Sequence, residues 1–309
     1  MTPNTSPPPE TPPWAPADVV TLAVPAFIAL VIIEMIAVRL SKRGGYEAKD
    51  SAASLFMGFG STLAGMLTGG LYLFSALWVY QYRIFDIGWT WQALVLCFLA
   101  EDVAYYWFHR LSHERRLWWA AHVVHHSSQH YNLSTALRQT WTGGIALTFA
   151  TKLPLFFIGF SPAMVFFFSG VSLVYQFWIH TETIGRMGPL EWVMNTPSHH
   201  RVHHATNPRY LDANYAGVLI IWDRLFGSFT PEVDHDKPRY GIVANLGTFN
   251  PLRIAIHEWA GIARDLRGAK SIGEVLGYLL GPPGWTPDGS RKTSRSLKAA
   301  WRASQRGAG

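Results

Sequence analysis

Eleven of the 13 histidines in this 309-residue chain fall between His109 and His204, while His235 and His257 stand apart. Three groups have helical spacing. His109 and His113 are four residues apart, and His122, His125 and His126 form an H-x2-H-H pattern that His200, His203 and His204 repeat. Positions three and four apart share a helix face, so each group turns two or three imidazoles toward one point. Imidazole binds iron, copper and zinc, and eight such ligands are too many for one ion, so two ions are expected to share them. His180, at the end of an apolar run and followed by Thr181 and Glu182, is a candidate ninth ligand. His130 and His199 adjoin ligand groups but break their spacing, and His235 and His257 read as surface or packing residues. The single cysteine, Cys97, has no disulfide partner and reads as a small apolar residue; any metal must be held by nitrogen or oxygen.

Acidic side chains inside apolar runs are expensive in a membrane and mark functional positions. Asp102 precedes His109 by seven residues on the same helix face, where it is expected to accept the second ring N–H of a ligand histidine. Glu101 lies about 100° around that helix and is expected to pair with Arg110 or with another helix. Glu34 stands alone in the first apolar run and reads as a helix-packing partner.

The elements that must position these groups are apolar. Charged residues are 15% of the chain, against about 25% in soluble domains, and hydrophobic residues are 49% with 14 Trp and 18 Phe. A disordered chain is excluded. Residues 1–16 hold seven prolines and no Lys or Arg, a Pro-rich tail without the basic start of a signal peptide. Apolar runs follow at about 19–38, 53–79 and 89–108, each close to the roughly 20 residues of a bilayer-spanning helix. Two more, 142–158 and 162–179, are separated only by Gly159, Phe160 and Ser161 and predict a hairpin that spans or re-enters the membrane. Asn250 and Pro251 then open an amphipathic helix through about Arg267.

Charge sets the orientation. Arg39, Lys42, Arg43 and Lys49 follow the first run, and Arg110, Arg115, Arg116 and Arg138 follow the third, whereas only Arg83 lies between the second and third. The basic loops predict a cytoplasmic histidine-bearing side and an external N-terminus. Trp14, Trp78, Trp89, Trp91, Trp118 and Trp119 lie near run ends, as interfacial aromatics do. Net charge is +6, and 16 of the 26 Lys and Arg come after residue 182, which suits a surface beside anionic lipid rather than nucleic acid. The expected fold is an all-α integral membrane protein with about four to five transmembrane or re-entrant helices and a cytoplasmic helical cap holding the metals. Its expected parts are the tail 1–16, a membrane-embedded domain 17–260, and an amphipathic, basic C-terminal tail 261–309.

The strings YYWFHRLSH (105–113), HVVHH (122–126) and SHHRVHH (198–204) resemble the fatty acid hydroxylase/sterol desaturase superfamily of membrane di-iron oxygenases. Within it, FWIHTE (177–182), NTPSHHRVHHATNPRYLDANYAG (195–217) and IIWDRLFGSF (220–229) look like the alkylglycerol monooxygenase branch and its bacterial relatives. The resemblance covers roughly residues 50–260. It implies metal ligation by the eight grouped histidines and His180, two iron ions, O2 as co-substrate and a long-chain lipid C–H bond as target, with zinc replacing iron in protein made in excess. It adds Asp212, Asn214 and Asp223 as residues supporting the ligands, and Glu114 at a position linked to pterin use, so Asp102, Glu114, Asn214 and Asp223 are the candidate catalytic-centre residues beside the histidines. The implied donor is an electron-donor protein or a reduced pterin. Within the superfamily the alternatives are sterol or fatty acyl hydroxylation or desaturation. Outside it, a histidine-rich metal transporter would place its ligands near mid-membrane, and a bis-histidine haem protein would use few of these residues.

Overall fold

A computed structural model describes residues 3–4, 6–15, 18–41 and 45–307. Pro16 of the tail, Lys42 and Arg43 of the first basic loop, and the last two residues lie outside the described residues. Among the described residues the secondary structure is helical, apart from two isolated bridges, Met194 with Leu219 and Ala205 with Tyr240.

The first two apolar runs are the helices α1 (Val19–Ser41) and α2 (Ala48–Tyr80), both long and apolar enough to cross a membrane. Most of their apolar side chains face outward; Leu67 on α2 is 86% exposed. At 1.5 Å per residue, α2 is about 50 Å long, more than the roughly 30 Å of a hydrocarbon core. The third run is α3 (Trp91–Glu114), which Thr90 starts by accepting the Ala93 N–H at 3.3 Å and which continues past the apolar run to carry His109 and His113 in its last turns. Helix α4 (Arg116–His126) follows after one extended residue, Arg115, so it folds back on α3.

The run at 142–158 departs from the expected helical arm. Residues 142–147 form turns, ending with Leu147 in the left-handed region at φ 51°; a 3-10 turn follows at Thr148–Lys152, then α6 (Leu153–Ile158), after the single-turn α5 (Leu133–Ala136). Eleven helical residues reach about 16 Å and cannot span. Two local causes are on the chain. A Cβ on Gly144 would lie 2.5 Å from Thr68, so the glycine lets this turn run against α2. Lys152 turns inward to Glu101, Nζ to Oε1 2.6 Å, and Glu101 therefore pairs with this turn rather than with Arg110. Gly159, at φ 131° and with Phe85 O 2.0 Å from where its Cβ would be, makes the reversal into α7 (Pro162–Trp178).

The remaining helices are α8 (Pro197–His203), α9 (Ile221–Leu225), α10 (Pro251–Arg267), α11 (Ile272–Leu280) and α12 (Ser294–Gly307). Asn250 caps α10 by accepting the Arg253 N–H at 3.1 Å, with Pro251 in the first turn as expected. Helix α10 runs unbroken across residue 260 and packs on α4, α2 and α11. Helix α3 packs on α4 and α7, and α7 on α1, which brings the histidine-bearing C-terminal ends of α3, α4 and α7 together. Glu34 ties these parts, accepting from Tyr46 Oη at 2.5 Å, the Leu133 N–H at 2.7 Å and the Thr181 hydroxyl, in keeping with a packing role.

Candidate metal centre

Nine histidines, the eight grouped ones and His180, converge in two sets. His109, His113, His122, His126 and His203 form one, and His125, His180, His200 and His204 the other; within each, one ring nitrogen per residue lies within 4.8 Å of every other. The Nε2 atoms of His109 and His122 are 3.0 Å apart, those of His122 and His126 3.1 Å, and those of His126 and His203 3.2 Å. In the second set, His125 and His180 are 3.1 Å apart, His180 and His200 2.9 Å, and His200 and His204 3.2 Å.

The local fold aims these rings through their other nitrogen. His180 follows the last turn of α7, where backbone carbonyls lack helical partners, and its Nδ1 donates to Gln176 O at 2.7 Å. His125 Nδ1 donates to Arg138 O at 3.2 Å, His109 Nδ1 to Tyr215 O at 2.8 Å, and His203 Nδ1 to Ala213 O at 3.0 Å. A carbonyl only accepts, so these Nδ1 atoms carry the proton and each neutral ring presents a lone pair at Nε2. His125 and His180 thus point lone pairs at each other across 3.1 Å with no proton between them. Protonating one ring does not resolve this at neutral pH, because burial holds His125 down to about 4. Burial likewise keeps His122, His126, His200, His203 and His204 well below the ordinary histidine range, the neighbouring histidines adding to the effect. A cation in each set resolves the conflict. Nitrogens about 3 Å apart can share one ion at bonds of about 2.1 Å. His113 Nε2, buried and without a hydrogen-bond partner, gains one in the same way. The residues present fit two metal ions.

The acids act one layer further out than expected. Asp102 touches no histidine: its carboxylate accepts from Val218 N at 2.9 Å, Leu219 N at 3.0 Å and Trp222 Nε1 at 2.8 Å. The expected bond to a histidine ring is therefore corrected, because the backbone of residues 213–219 comes between and supplies carbonyls instead. Asp223 holds the same loop, accepting from Tyr215 N and Ala216 N at 2.8 Å each and from Ser228 Oγ at 2.6 Å. Asn214 sits in the left-handed region (φ 55°), donates to His199 O and Thr230 O, and accepts from Thr230 N. The Ala213 and Tyr215 carbonyls on either side of it are those that hold His203 and His109. Glu114 lies apart, paired with Arg110 Nε at 2.9 Å and about one third exposed.

Backbone carbonyls carry no side-chain signature, so these four anchors were invisible in the sequence. Asp50 was also missed. It is buried, paired with Arg138 and bonded to Ser128 Oγ at 2.5 Å, and so fixes the residue whose carbonyl holds His125. An acid and an arginine beside apolar runs were its available signal.

A cavity of about 320 Å³ opens onto the five-histidine set. His113, His126 and His203 form part of its wall, with Trp119, Val123, Leu211, Ile242 and Leu297 as apolar lining and Asp212, Glu258 and Lys292 as polar lining. The C-terminal segment thus closes one side of the site. Of the histidines set aside, His130 lies 3.4 Å from Asp50, His199 packs on Phe229, and His235 meets Arg209 at 3.1 Å. His257 bonds Ile254 O at 3.0 Å and reaches the cavity wall.

The family model "Fatty acid hydroxylase" matches residues 94–228, the segment that supplies all nine converging histidines. The chain is 40% identical over 275 residues to alkylglycerol monooxygenase of Xenopus tropicalis and 39% over 280 residues to that of Homo sapiens, in each case 87% of this chain and 60% of the relative. It is 29% identical over 206 residues to ornithine lipid hydroxylase OlsE of Rhizobium tropici, 66% of this chain and 57% of that protein. The chain therefore spans about 60% of the length of the alkylglycerol monooxygenases it matches. No solved structure matches it. Residues 94–228 are a domain of the fatty acid hydroxylase family, as the histidine strings imply.

Proposed function

We propose that the chain is a membrane-bound di-iron monooxygenase that hydroxylates a C–H bond of a long-chain lipid, with an alkylglycerol ether as the leading substrate. The observation that carries this reading is the convergence of nine histidines in sets of five and four, all buried but the half-buried His122 and His125, with the lone pairs of His125 and His180 facing each other across 3.1 Å. Two iron ions bound there would supply O2 activation and removal of hydrogen from an unactivated carbon. One O2, two electrons and two protons then give one lipid hydroxyl and one water. On an ether carbon the product is a hemiacetal, which collapses to a fatty aldehyde and glycerol.

The chain's own residues hold and dry the centre. The nine imidazoles are the metal ligands, and Asp102, Asn214 and Asp223 are positioning residues acting through the 213–219 backbone. Trp119, Val123, Ile242 and Leu297 form an apolar wall that lines up an alkyl chain and excludes water. The electrons come from an external donor, a reduced pterin or an electron-donor protein, with Glu114 at the α3 end assigned to that approach. The protein is read as integral and multi-pass, its centre at the cytoplasmic edge of a bacterial inner membrane or the endoplasmic reticulum, since the basic loops lie on the histidine side. It takes no nucleic acid.

Purified protein supplied with iron, O2, a reductant and alkylglycerol is expected to consume oxygen and release fatty aldehyde, with about two metal ions per chain by elemental analysis. Oxygen uptake coupled to a sterol or fatty acyl lipid while alkylglycerol stays intact would overturn the ether assignment. One ion per chain, or a haem spectrum, would overturn the di-metal reading.

A further inference from the structure

A second concavity, of about 350 Å³, lies on the side of α8 away from the ligand histidines, lined by Arg186, Glu191, Ser198, His199, Arg224 and Phe229 among others. His199 is 2% exposed; it bonds the Met194 backbone, and its Nδ1 has no hydrogen-bond partner. Arg224 stacks over the Phe229 ring at 3.8 Å, donates to Glu191 O at 3.1 Å, and has no carboxylate partner among the described residues. The hollow therefore presents a spare cation and a buried, unpartnered nitrogen.

Its rim is apolar. Trp192 is 72% exposed and Leu225 70%, beside the exposed Leu190 and Val193. The Arg224–Glu191 bond joins these two segments, and the Phe226 ring packs against Trp107 of α3, tilted by 56° with centroids 5.1 Å apart. On α3, Leu96, Ala100, Val103 and Trp107 follow helical spacing and none is buried. The outward apolar stripe of α3 thus runs directly into the patch at the end of the molecule that holds the metals. Apolar side chains with an exposed tryptophan, rimmed by arginines, match the boundary between acyl chains and head groups. An aqueous surface does not keep such a patch without use.

We propose that residues 188–193 and 224–226 form a wedge seated in the bilayer interface, and that the hollow behind it binds a phospholipid head group bearing both a phosphate and a hydrogen-bond donor, as phosphatidylethanolamine does. Arg224 faces the phosphate, with Arg186, already paired to Asp234 at 3.0 Å, at the edge of the hollow, while the donor meets His199 Nδ1 and the Glu191 carboxylate. Mixed charge in the lining suits a zwitterion better than a lone anion. The inference rests on the membrane reading of α1 and α2.

The test uses the full chain in nanodiscs containing phosphatidylethanolamine, spin-labelled at Trp192→Cys or Leu225→Cys, with Leu67→Cys and Lys237→Cys as references; Cys97 is buried and stays unlabelled. Labels at 192 and 225 are expected to be several-fold more accessible to O2 than to a water-soluble nickel complex, like 67 and unlike 237. Nickel accessibility at 192 and 225 with 67 still protected would overturn the wedge alone. Nickel accessibility at 67 as well would overturn the membrane reading beneath it. Mass spectrometry of retained lipid supplies the second arm. Arg224→Ala is expected to lose phosphatidylethanolamine that the unchanged protein keeps. Equal retention of phosphatidylcholine, or displacement by inorganic phosphate, would overturn the head-group assignment.

Discussion

Helices α4 and α8 carry the same H-x2-H-H triplet and use it in opposite senses. In α4 the i and i+4 pair, His122 and His126, joins the five-histidine set and His125 crosses to the other. In α8 and the residue that caps it, the pair His200 and His204 joins the four-histidine set and His203 crosses back. At about 100° per residue, i+4 lies some 40° from i on one side and i+3 some 60° on the other, so the triplet spans about 100° of helix surface. That spread is what lets one short helix reach both histidine sets. Each helix thus supplies a pair to one set and a single histidine to the other, and the two sets are built as one unit.

The two sets differ in reserve. Removing the crossing ligand in His203→Ala leaves four histidines in its set, whereas His125→Ala leaves three. Both variants are expected to lose turnover altogether. His125→Ala should also fall to about one ion per chain, while His203→Ala stays nearer two. Elemental analysis beside oxygen uptake reads both, and equal metal content in the two would break the comparison.

The sets also differ in what holds them. Tyr215 O and Ala213 O, fixed by Asp223 and Asn214, aim ligands of the five-histidine set; Arg138 O, fixed by Asp50, aims His125 in the other. Groups bonded directly to a ligand commonly change metal affinity by about 10–100-fold, and Asp223 and Asp50 stand one bond beyond such groups. Asp223→Asn is therefore expected to weaken one of two binding steps in a metal titration by about tenfold, the low end of that range, and Asp50→Asn the other. Both variants weakening the same step would show that the sets are not separately anchored.

This is also where sequence stops being legible. Helical spacing alone made the eight grouped histidines candidates, and their end-of-run positions brought His180 to them. It could not divide them between ions, because that depends on which side of α4 and α8 faces which neighbour. Asp102 does share a face with His109, as the seven-residue spacing requires, but its donors come from residues 218–222, more than a hundred positions away. Spacing within a helix says where a side chain points and nothing of the loop that arrives there. The 142–158 run failed for a related reason: composition reads as membrane, while Gly144 against Thr68 and Lys152 against Glu101 break the helix through distant contacts.

Only the five-histidine set opens broadly onto the cavity; the other reaches it through His204. Ile242→Trp fills the cavity without touching a ligand. It is expected to raise KM for a long-chain lipid roughly tenfold with both ions retained. His235→Ala, on the surface, should change neither. Loss of an ion in Ile242→Trp would mean that the cavity wall supports the metals rather than the substrate.

The smallest effect concerns the C-terminal side of that cavity. Asp265 on α10 accepts from Arg291 Nη1 and Nη2 at 2.6 Å each and from Arg116 Nη1, at the start of α4, also at 2.6 Å. These bonds, Arg291 foremost, hold its carboxyl at about 2, below the usual aspartate value of about 3.9. A depressed carboxyl adds stability that is present above its unfolded value and disappears as pH falls toward the folded one. The contribution is therefore full at pH 5–8 and lost between about 4 and 2. Arg291 is 47% exposed, so solvent screening reduces it to about 1 kcal/mol, or roughly 2–4 °C in Tm. The buried histidines, neutral when folded, destabilise both proteins alike as pH drops below about 6.5, so the difference between wild type and Asp265→Asn is the quantity to follow. That difference is expected to be constant from pH 8 to 5, to fall to about half near pH 3 and to vanish below about pH 2. A difference that persists there would mean that Asp265 acts through packing, and that its charge does not fasten the C-terminal wall to the helix bearing His122, His125 and His126.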